Sequence, residues 1–561
     1  MRVDRYDLPT NYLVSYYYRL DLKGIRVDSK AIKAIVERRH PLFEDLLAHW
    51  NFLEASYKGG RAWFKANIFR YMKEGDLEYK DRVERAYRFN HTRETVDLVN
   101  KYLFRADISR KTDDAPDCVK TFWKKVNSQG LDICEFMRVV SLKASILGRP
   151  WIVIDNQVTS LPENASQADA PGTELYAYIV PPQQVPDYAF DGAGRLLWVL
   201  IEEHVRDDKD PLDSTGAISK RYRLWTQQEW YLFEFKKGTG KSGGRWECTD
   251  QGHHGLGLVP VIPGNNSVAS DTWDCPALIA DVAYLDRAVA NYASNLDAII
   301  QDQTFSQLAM PAQNVLPGDT AYNKLLEMGT KRIFLYDGES GQAPAYLSPD
   351  PRQATLILAA ISQLINEIYH SVGLAGERTK QDNSQGIDNS SGVAKSMDFE
   401  RVVALLTSKA DALEVVENKI IEVVCAWNNT VAPETSLVNY PSESQFDVRT
   451  FYDEIDVSMK LRTMGVPALI MEEQMVRLVE KLFPDLSEQL IEKMRKEIKE
   501  WATEPTPQET AAAQGAASDA SRKVLEEAKR NRSAAAEKKT NTLSRETGKS
   551  PSQDRAKGQE K

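Results

Sequence analysis

The sequence predicts a mixed α+β fold that is predominantly α. Three observations carry this reading: helical spacing of apolar residues over the first 150 positions, a change to a period of two from Pro150 to Pro263, and three long amphipathic runs after residue 270. At 561 residues the chain is long enough for several domains, and its 42% hydrophobic and 27% charged residues are those of an ordinary soluble protein. Nowhere do about 18 apolar residues run together, so no membrane span is expected. Met1 to Leu20 carries charges throughout and reads as no secretion signal, which predicts a protein made in a cytoplasm.

In the first 150 residues, helices are expected at Ser29 to Glu37, Leu42 to Tyr57, Lys80 to Ala86, Asn90 to Leu103, Cys118 to Ser128 and Leu131 to Leu147. Asn90 or Thr92 is positioned to cap the fourth. The aromatic residues here, Trp50, Phe52, Trp63 and Phe69 among them, read as core, because base-stacking surfaces pair aromatics with a basic patch. Between 151 and 270, short alternating runs (Trp151 to Ile154, Leu175 to Ile179, Leu196 to His204, Lys220 to Thr226, Glu229 to Lys236, Trp246 to Asp250, Val259 to Pro263) predict one antiparallel sheet.

Two motifs in this stretch invite chemistry and fail. Gly240-Lys241-Ser242 lacks the glycine five residues earlier that a phosphate loop needs, since Phe235 stands there, and it lies between strands; it reads as a hairpin turn. His253-His254 point to opposite faces of an extended chain and have no cysteine or carboxylate at ligand spacing, so no metal is expected. Cys118, Cys134, Cys248, Cys275 and Cys425 form no C-x-x-C pair and read as free thiols. With no nucleophile elbow, glycine fingerprint or zinc spacing, neither enzymatic activity nor a cofactor is expected.

From Asp271, with Pro276 in the first turn, a helix is expected to run to about Gln303. Leu278, Val282, Leu285, Val289, Tyr292, Leu296 and Ile299 form a heptad seam on it. The opposite side carries Asp281, Asp286, Asn291, Asp297 and Asp302, which predicts a wet acidic face. A strand, helix and two further strands follow: Leu308 to Val315, Thr320 to Met328, Lys331 to Tyr336 and Ala343 to Leu347. Arg352 to His370 is helical again. Gly373 to about Ser396 is a loop of Gly, Asn, Ser and Gln that cannot build a core and reads as exposed and functional. A long helix then reaches Trp427, its apolar stripe broken by Lys409. Beyond a turn-rich stretch, a strand is expected within Phe446 to Val457 and helices at Ala468 to Leu482 and Leu486 to Trp501. Residues 506–561 have too few large apolar side chains to repay ordering, although Ala516 to Ala536 has helical character. That tail holds twelve Lys+Arg against eight Asp+Glu, a net of +4, so the rest of the chain carries −14 of the total −10. A body this acidic argues against tight, static nucleic-acid binding.

The order of elements, together with Val261-Ile262-Pro263-Gly264-Asn265-Asn266 leading to Leu285-Asp286-Arg287 and Asn291-Tyr292, and with Ser391-Gly392-Val393-Ala394 opening the third long helix, resembles the portal proteins of tailed bacteriophages. The resemblance implies a wing formed by 1–150 (helical), 151–270 (β-rich) and 397–460, and stem helices at 271–305 and 351–372. It further implies a clip at 306–350, a tunnel loop at 373–396, a helical crown at 461–505 and a tail at 506–561. It implies a homo-oligomeric ring, commonly of twelve subunits, at the portal vertex of a virion capsid. Such a ring is assembled in the host cytoplasm with scaffolding and major capsid proteins. Double-stranded DNA is driven through it by a separate terminase and later ejected, and head-completion or adaptor proteins attach to it.

On that reading Arg378, Lys380, Gln381, Asn383, Gln385, Asn389 and Lys395 are the loop residues facing the DNA channel. Lys331 and Arg332 are the clip cations, and Asp281, Asp286, Asp297 and Asp302 repeat around the ring as negative walls past which a duplex slides. The alternative is another virion or head-assembly scaffold protein, such as a minor head protein or adaptor.

Overall fold

The computed structural model describes residues 29–72, 74–105, 108–156, 174–208, 210, 212–236, 244–268, 274–304, 307–311, 320, 333–336, 345–347, 351–374, 392–441, 457–461, 464, 466–482, 493–499 and 522–530. It is mixed helix and sheet, in two compact units, Met1–Asp447 and Val448–Lys561. None of its described helices is long and apolar enough to cross a membrane.

Among the described residues, seven helices come first in the first unit: α1 (Ser29–Glu37), α2 (Pro41–Lys58), α3 (Arg61–Asn67), α4 (Asp76–Arg85), α5 (His91–Leu103), α6 (Asp117–Lys124) and α7 (Ile133–Leu147). Local chemistry starts several of them. The Asn90 side chain accepts the Arg93 N–H at the head of α5, and Asp132 does the same for Glu135 on α7. The capping choice left open by the sequence therefore falls to Asn90, and Thr92 is free for another task. A two-residue strand β1 (Ser109–Arg110) lies between α5 and α6.

The β region makes two sheets, where one was expected. β2 (Trp151–Asn156) is the middle of a three-stranded sheet between β3 (Leu175–Val180) and β9 (Val261–Pro263). β4 (Asp187–Phe190), β5 (Leu196–Arg206), β6 (Ile218–Thr226), β7 (Glu229–Lys236) and β8 (Arg245–His253) form an antiparallel meander in that order. Alternation alone cannot assign strands to sheets, because both sheets bury one face against the same core of Trp151, Val153, Val180, Val199, Ile201 and Trp225. The other face of the meander is covered by Ile32 and Val36 of α1, packed on Leu200, Tyr222 and Phe233. Lys236 pairs with Arg245, so the connection holding Gly240-Lys241-Ser242 is a β-hairpin, although 237–243 lie outside the described residues.

His254 is wholly buried. Its Nε2–H donates to the Thr226 carbonyl while Nδ1 accepts the Leu256 N–H, and burial lowers its pKa to about 4. It is a neutral core residue. All five cysteines are free thiols.

Three long helices complete the unit: α8 (Val282–Thr304), α9 (Pro351–Ser371) and α10 (Gly392–Trp427). The first begins later than the expected Asp271 or Pro276, and the reason lies in the carbonyls that precede it. Arg149 Nη2 donates to Asp274 O, and Asn266 Nδ2 to Pro276 O, so this stretch is held by body side chains and cannot turn into a helix. Gly148, which caps α7 at φ 80°, brings its backbone so close to Cys275 that a Cβ would lie 1.8 Å from that carbonyl oxygen. The Gly264-Asn265-Asn266 motif thus has a mechanical role: Asn265 Oδ1 accepts from Arg149 Nε at 2.7 Å, and Asn266 Oδ1 accepts from Lys409.

α10 is buried around roughly half its circumference, through Val402, Leu406, Ala410, Leu413, Ile420 and Val424, in one large core shared with α5, α6, α7 and β2. Two charged residues lie inside that burial. Glu417, fully buried, receives Arg110 Nε at 2.7 Å and the Tyr440 hydroxyl at 2.8 Å, which ties α10 to β1 and to its strand partner β13 (Val438–Asn439). Lys409 has no carboxylate partner among the described residues. Its ammonium donates to Ser145 Oγ at 2.9 Å and to Asn266 Oδ1 at 2.5 Å, and burial lowers its pKa to about 7.

In the second unit α11 (Ala468–Leu482) occupies the expected bounds and buries Met471, Val476 and Leu478; residues 493–499 and 522–530 are also helical. The strand expected within Phe446 to Val457 falls almost wholly outside the described residues; at its edge, residues 457–461 are helical.

Because the unfolded chain protonates Lys409 near 10.5 and the folded chain only near 7, the unfolded state binds more protons across that window. Stability contributed at this site therefore rises with pH between those values and is lowest below about 7, where a charge must be buried. Relative to Lys409→Met, the native chain gains up to about 1.4 kcal/mol per pH unit in that window. Denaturant titrations of both proteins at several pH values check this: parallel profiles refute it.

Candidate functional site

The features that distinguish this chain lie on the paired helices α8 and α9 and on what connects them. They pack on one another, and Leu285 and Val289 of α8 share one apolar cluster with Ile361, Leu364, Ile365 and Ile368 of α9; Leu296 of α8 is buried as well. The heptad seam holds at these positions and fails at Tyr292, which is 41% exposed. Val282 and Val289 at the start of α8, and Ile368, Tyr369 and Val372 at and just beyond the end of α9, are buried in the main core. Toward the other end Ile300, Leu356 and Leu358 are 48%, 72% and 51% exposed. The pair is therefore a hairpin rooted in the body at one end and bare at the other.

Between its arms lies a small sheet of β10 (Gln307–Pro311), β11 (Ile333–Tyr336) and β12 (Ala345–Leu347). β10 sits in the centre, parallel to β11 and antiparallel to β12. The three strands match the expected insert; its helix, apart from Thr320, lies outside the described residues.

The expected acidic face of α8 needs correction. Asp286 has no exposed surface: its Oδ2 is 3.0 Å from Arg88 Nη2 and accepts the Thr92 N–H at 3.1 Å and the Thr92 hydroxyl at 2.7 Å. Arg88 is itself buried, stacked 4.0 Å from the ring centre of Trp63, and donates to Ser56 O. Farther along, Asn291 accepts the Phe69 N–H and donates to Asn67 O, Ser294 receives Arg82, and Asp297 pairs with Arg85 at 3.3 Å. Arg287 stands 4.6 Å, 5.2 Å and 5.0 Å from the ring centres of Phe52, Phe69 and Tyr284. This side of α8 is a polar seam against the N-terminal helices.

Of the four acidic positions, Asp281 is exposed, in the turn before α8, and Asp302 is in its last turn. The sequence does carry a signal for the hidden face. Ala283, Ala290 and Ser294, on the Asp286 side, are all small, and small side chains let another backbone approach.

Arg378, Lys380, Gln381, Asn383, Gln385 and Asn389 lie outside the described residues, as do Lys331 and Arg332 just before β11. Lys395 does not belong to the loop. α10 starts at Gly392, where Ser391-Gly392-Val393-Ala394 opens the helix, and Lys395 is in its first turn. The connection between α9 and α10 nevertheless starts beside buried residues, Val372 and Leu374, at the rooted end of the hairpin. Among the described residues no group of three His, Cys, Asp or Glu is placed to hold a metal ion.

Removing the Asp286 carboxylate leaves Arg88 charged and buried. Asp286→Ala should cost about 3–5 kcal/mol, whereas Asp281→Ala stays within about 0.5 kcal/mol of the native chain. Chemical denaturation of the three proteins checks this, and equal stabilities refute the buried pair.

No protein-family model matches this chain, and no curated protein does. Among solved structures it is similar to a chain described as the neck of a native GTA particle computed with C12 symmetry. The TM-score is 0.34 and the identity 12%, over 69% of this chain and 89% of that one. It is likewise similar to a chain of the virion of a native gene transfer agent (GTA) particle, with a TM-score of 0.33 and 10% identity over 72% and 94% of the two chains.

Proposed function

We propose that this protein is a structural portal subunit. Copies of it close into a ring at one capsid vertex, DNA is driven through the ring by a separate terminase motor and later released through it, and a head-completion or adaptor protein attaches to it. The observation that carries the reading is the α8–α9 hairpin, fastened to the body at one end and holding a three-stranded insert between its arms. Toward its bare end Ile300, Leu356 and Leu358 are left to water in a single chain. A ring of hairpins side by side covers such side chains with their neighbours.

In this reading α8 and α9 are the stem, the insert is the clip and the first unit's α/β body is the wing. The α9–α10 connection is the tunnel loop, with Arg378 and Lys380 offering transient phosphate contacts. The channel wall is less acidic than the sequence suggests, since Asp286 is buried and Asp297 is paired with Arg85. The ring sits in the virion after assembly in the host cytoplasm with scaffolding and capsid proteins. The chain itself performs no catalysis and holds no cofactor.

Negative-stain microscopy of the purified protein tests the reading. Rings with a central hole of roughly duplex width support it, and monomers at all concentrations overturn it. Closed oligomers without a hole favour a minor head protein or adaptor, and ATP hydrolysis by the isolated chain reinstates an enzyme. Deleting residues 381–389 should leave ring assembly intact and abolish packaging or retention of DNA. Full-length genomes packaged and held by that variant refute the assignment of the loop to the channel.

A further inference from the structure

Cys118 and Cys425 are more than 300 positions apart in sequence, and the fold puts their thiols side by side. Cys425 stands in the last turn of α10 and has no exposed surface. Cys118 stands in the first turn of α6, which packs against α10, and its side chain is half-buried against the same core cluster. The two thiols share a hydrogen bond. Burial, reinforced by that neighbour, pushes the Cys425 thiol up to about 12.

The other three cysteines are placed differently. Cys248 directs its thiol to Asp250 O at 3.3 Å, and Cys275 to Ser267 O at 4.0 Å. Cys134, in the first turn of α7, has Arg110 as its neighbour. A single thiol in an apolar core serves as a small hydrophobe. Two in contact, one of them within reach of solvent, are the arrangement in which a sulfur–sulfur bond closes without unfolding, because a disulfide joins only side chains that already lie next to each other. A bond here would hold the C-terminal end of α10. There the Asn428 and Thr430 N–H groups both donate to Cys425 O, and Asn429 turns the chain away at φ 51°.

We infer that Cys118 and Cys425 are a latent disulfide, which a low-molecular-weight disulfide closes into a brace between α6 and the end of α10. The Cys118 thiolate, at the accessible position, attacks one sulfur of the small disulfide; a mixed disulfide forms, and a small thiolate leaves and takes up a proton. Cys425 then gives up its proton and attacks the Cys118 sulfur, which expels the second small thiolate. Two electrons pass from the cysteine pair to the small disulfide, which ends as two thiols. The second step is the slow one, because a buried thiol resists ionisation. The closed bond restricts the unfolded chain across a long loop and so stabilises the first unit. The inference goes beyond the ring reading and does not depend on it.

The test uses the full chain, incubated with oxidised glutathione, quenched with N-ethylmaleimide and mapped by mass spectrometry without reduction. The expected product is a linked Cys118–Cys425 peptide two hydrogens lighter than its separate parts, with Cys134, Cys248 and Cys275 alkylated. The melting midpoint should rise by about 3 °C or more and fall back with dithiothreitol. Cys118→Ser should show neither change, and Cys425→Ala should stop with glutathione on Cys118. The map of the native chain decides even where a variant fails to fold. Alkylation of all five cysteines, glutathione retained on Cys118 of the native chain, or a bridge between any other two cysteines overturns the inference. So does a Cys118–Cys425 bond that forms only in denaturant, or one that leaves the midpoint where it was.

Discussion

A carboxylate shut away from water must be neutralised where it lies, and the way Asp286 is neutralised sets the arrangement of the rest of the first unit. Arg88 and Thr92, which receive it, belong to the segment that leads into α5 and to the first turn of α5. Arg88 is in turn held on the face of Trp63 and by the Ser56 carbonyl, so the bond reaches α2 and α3 as well. One buried pair thus joins the helical N-terminal part to the helix that carries the insert. A pair of this kind is a poor source of net stability but a strict one of register, since any slip of α8 leaves two charges unmet.

The same helix solves two packing problems at once. Its apolar seam belongs to α9, and its polar seam to α4, α5 and residues 67–69, so at the rooted end little of its surface is left to water. Toward the insert both arms run out of partners, and the apolar residues left bare there are what a neighbouring copy is expected to cover. Rigidity at the root with unmet surface at the tip is a division of labour suited to an assembly in which each subunit holds its own position and shares its far end.

α10 repeats the theme with different chemistry. Glu417 is charged and paired, Lys409 is buried among neutral partners, and together they fix the helix against β1, β13, α7 and the lead-in to α8. The Asn265-Asn266 pair has a mechanical role: its side chains hold Arg149, Lys409 and the Pro276 carbonyl.

Periodicity alone determined where most elements lie, because burial of one face demands a repeat of 3.6 or 2 whatever the element packs against. The bounds of α1 and α11 and most of the seam of α8 were legible for that reason, as was the pairing of β7 with β8. What tertiary structure alone decided is which side of an element faces what. Asp286 reads as a solvent residue in any single-chain pattern, and it is hidden only because Arg88, some 200 positions earlier in sequence, is brought against it. The later start of α8, the splitting of the strands into two sheets and the helical rather than loop position of Lys395 were likewise hidden. The first two depend on hydrogen bonds or burial contributed by distant residues, and a local pattern carries no record of distant partners.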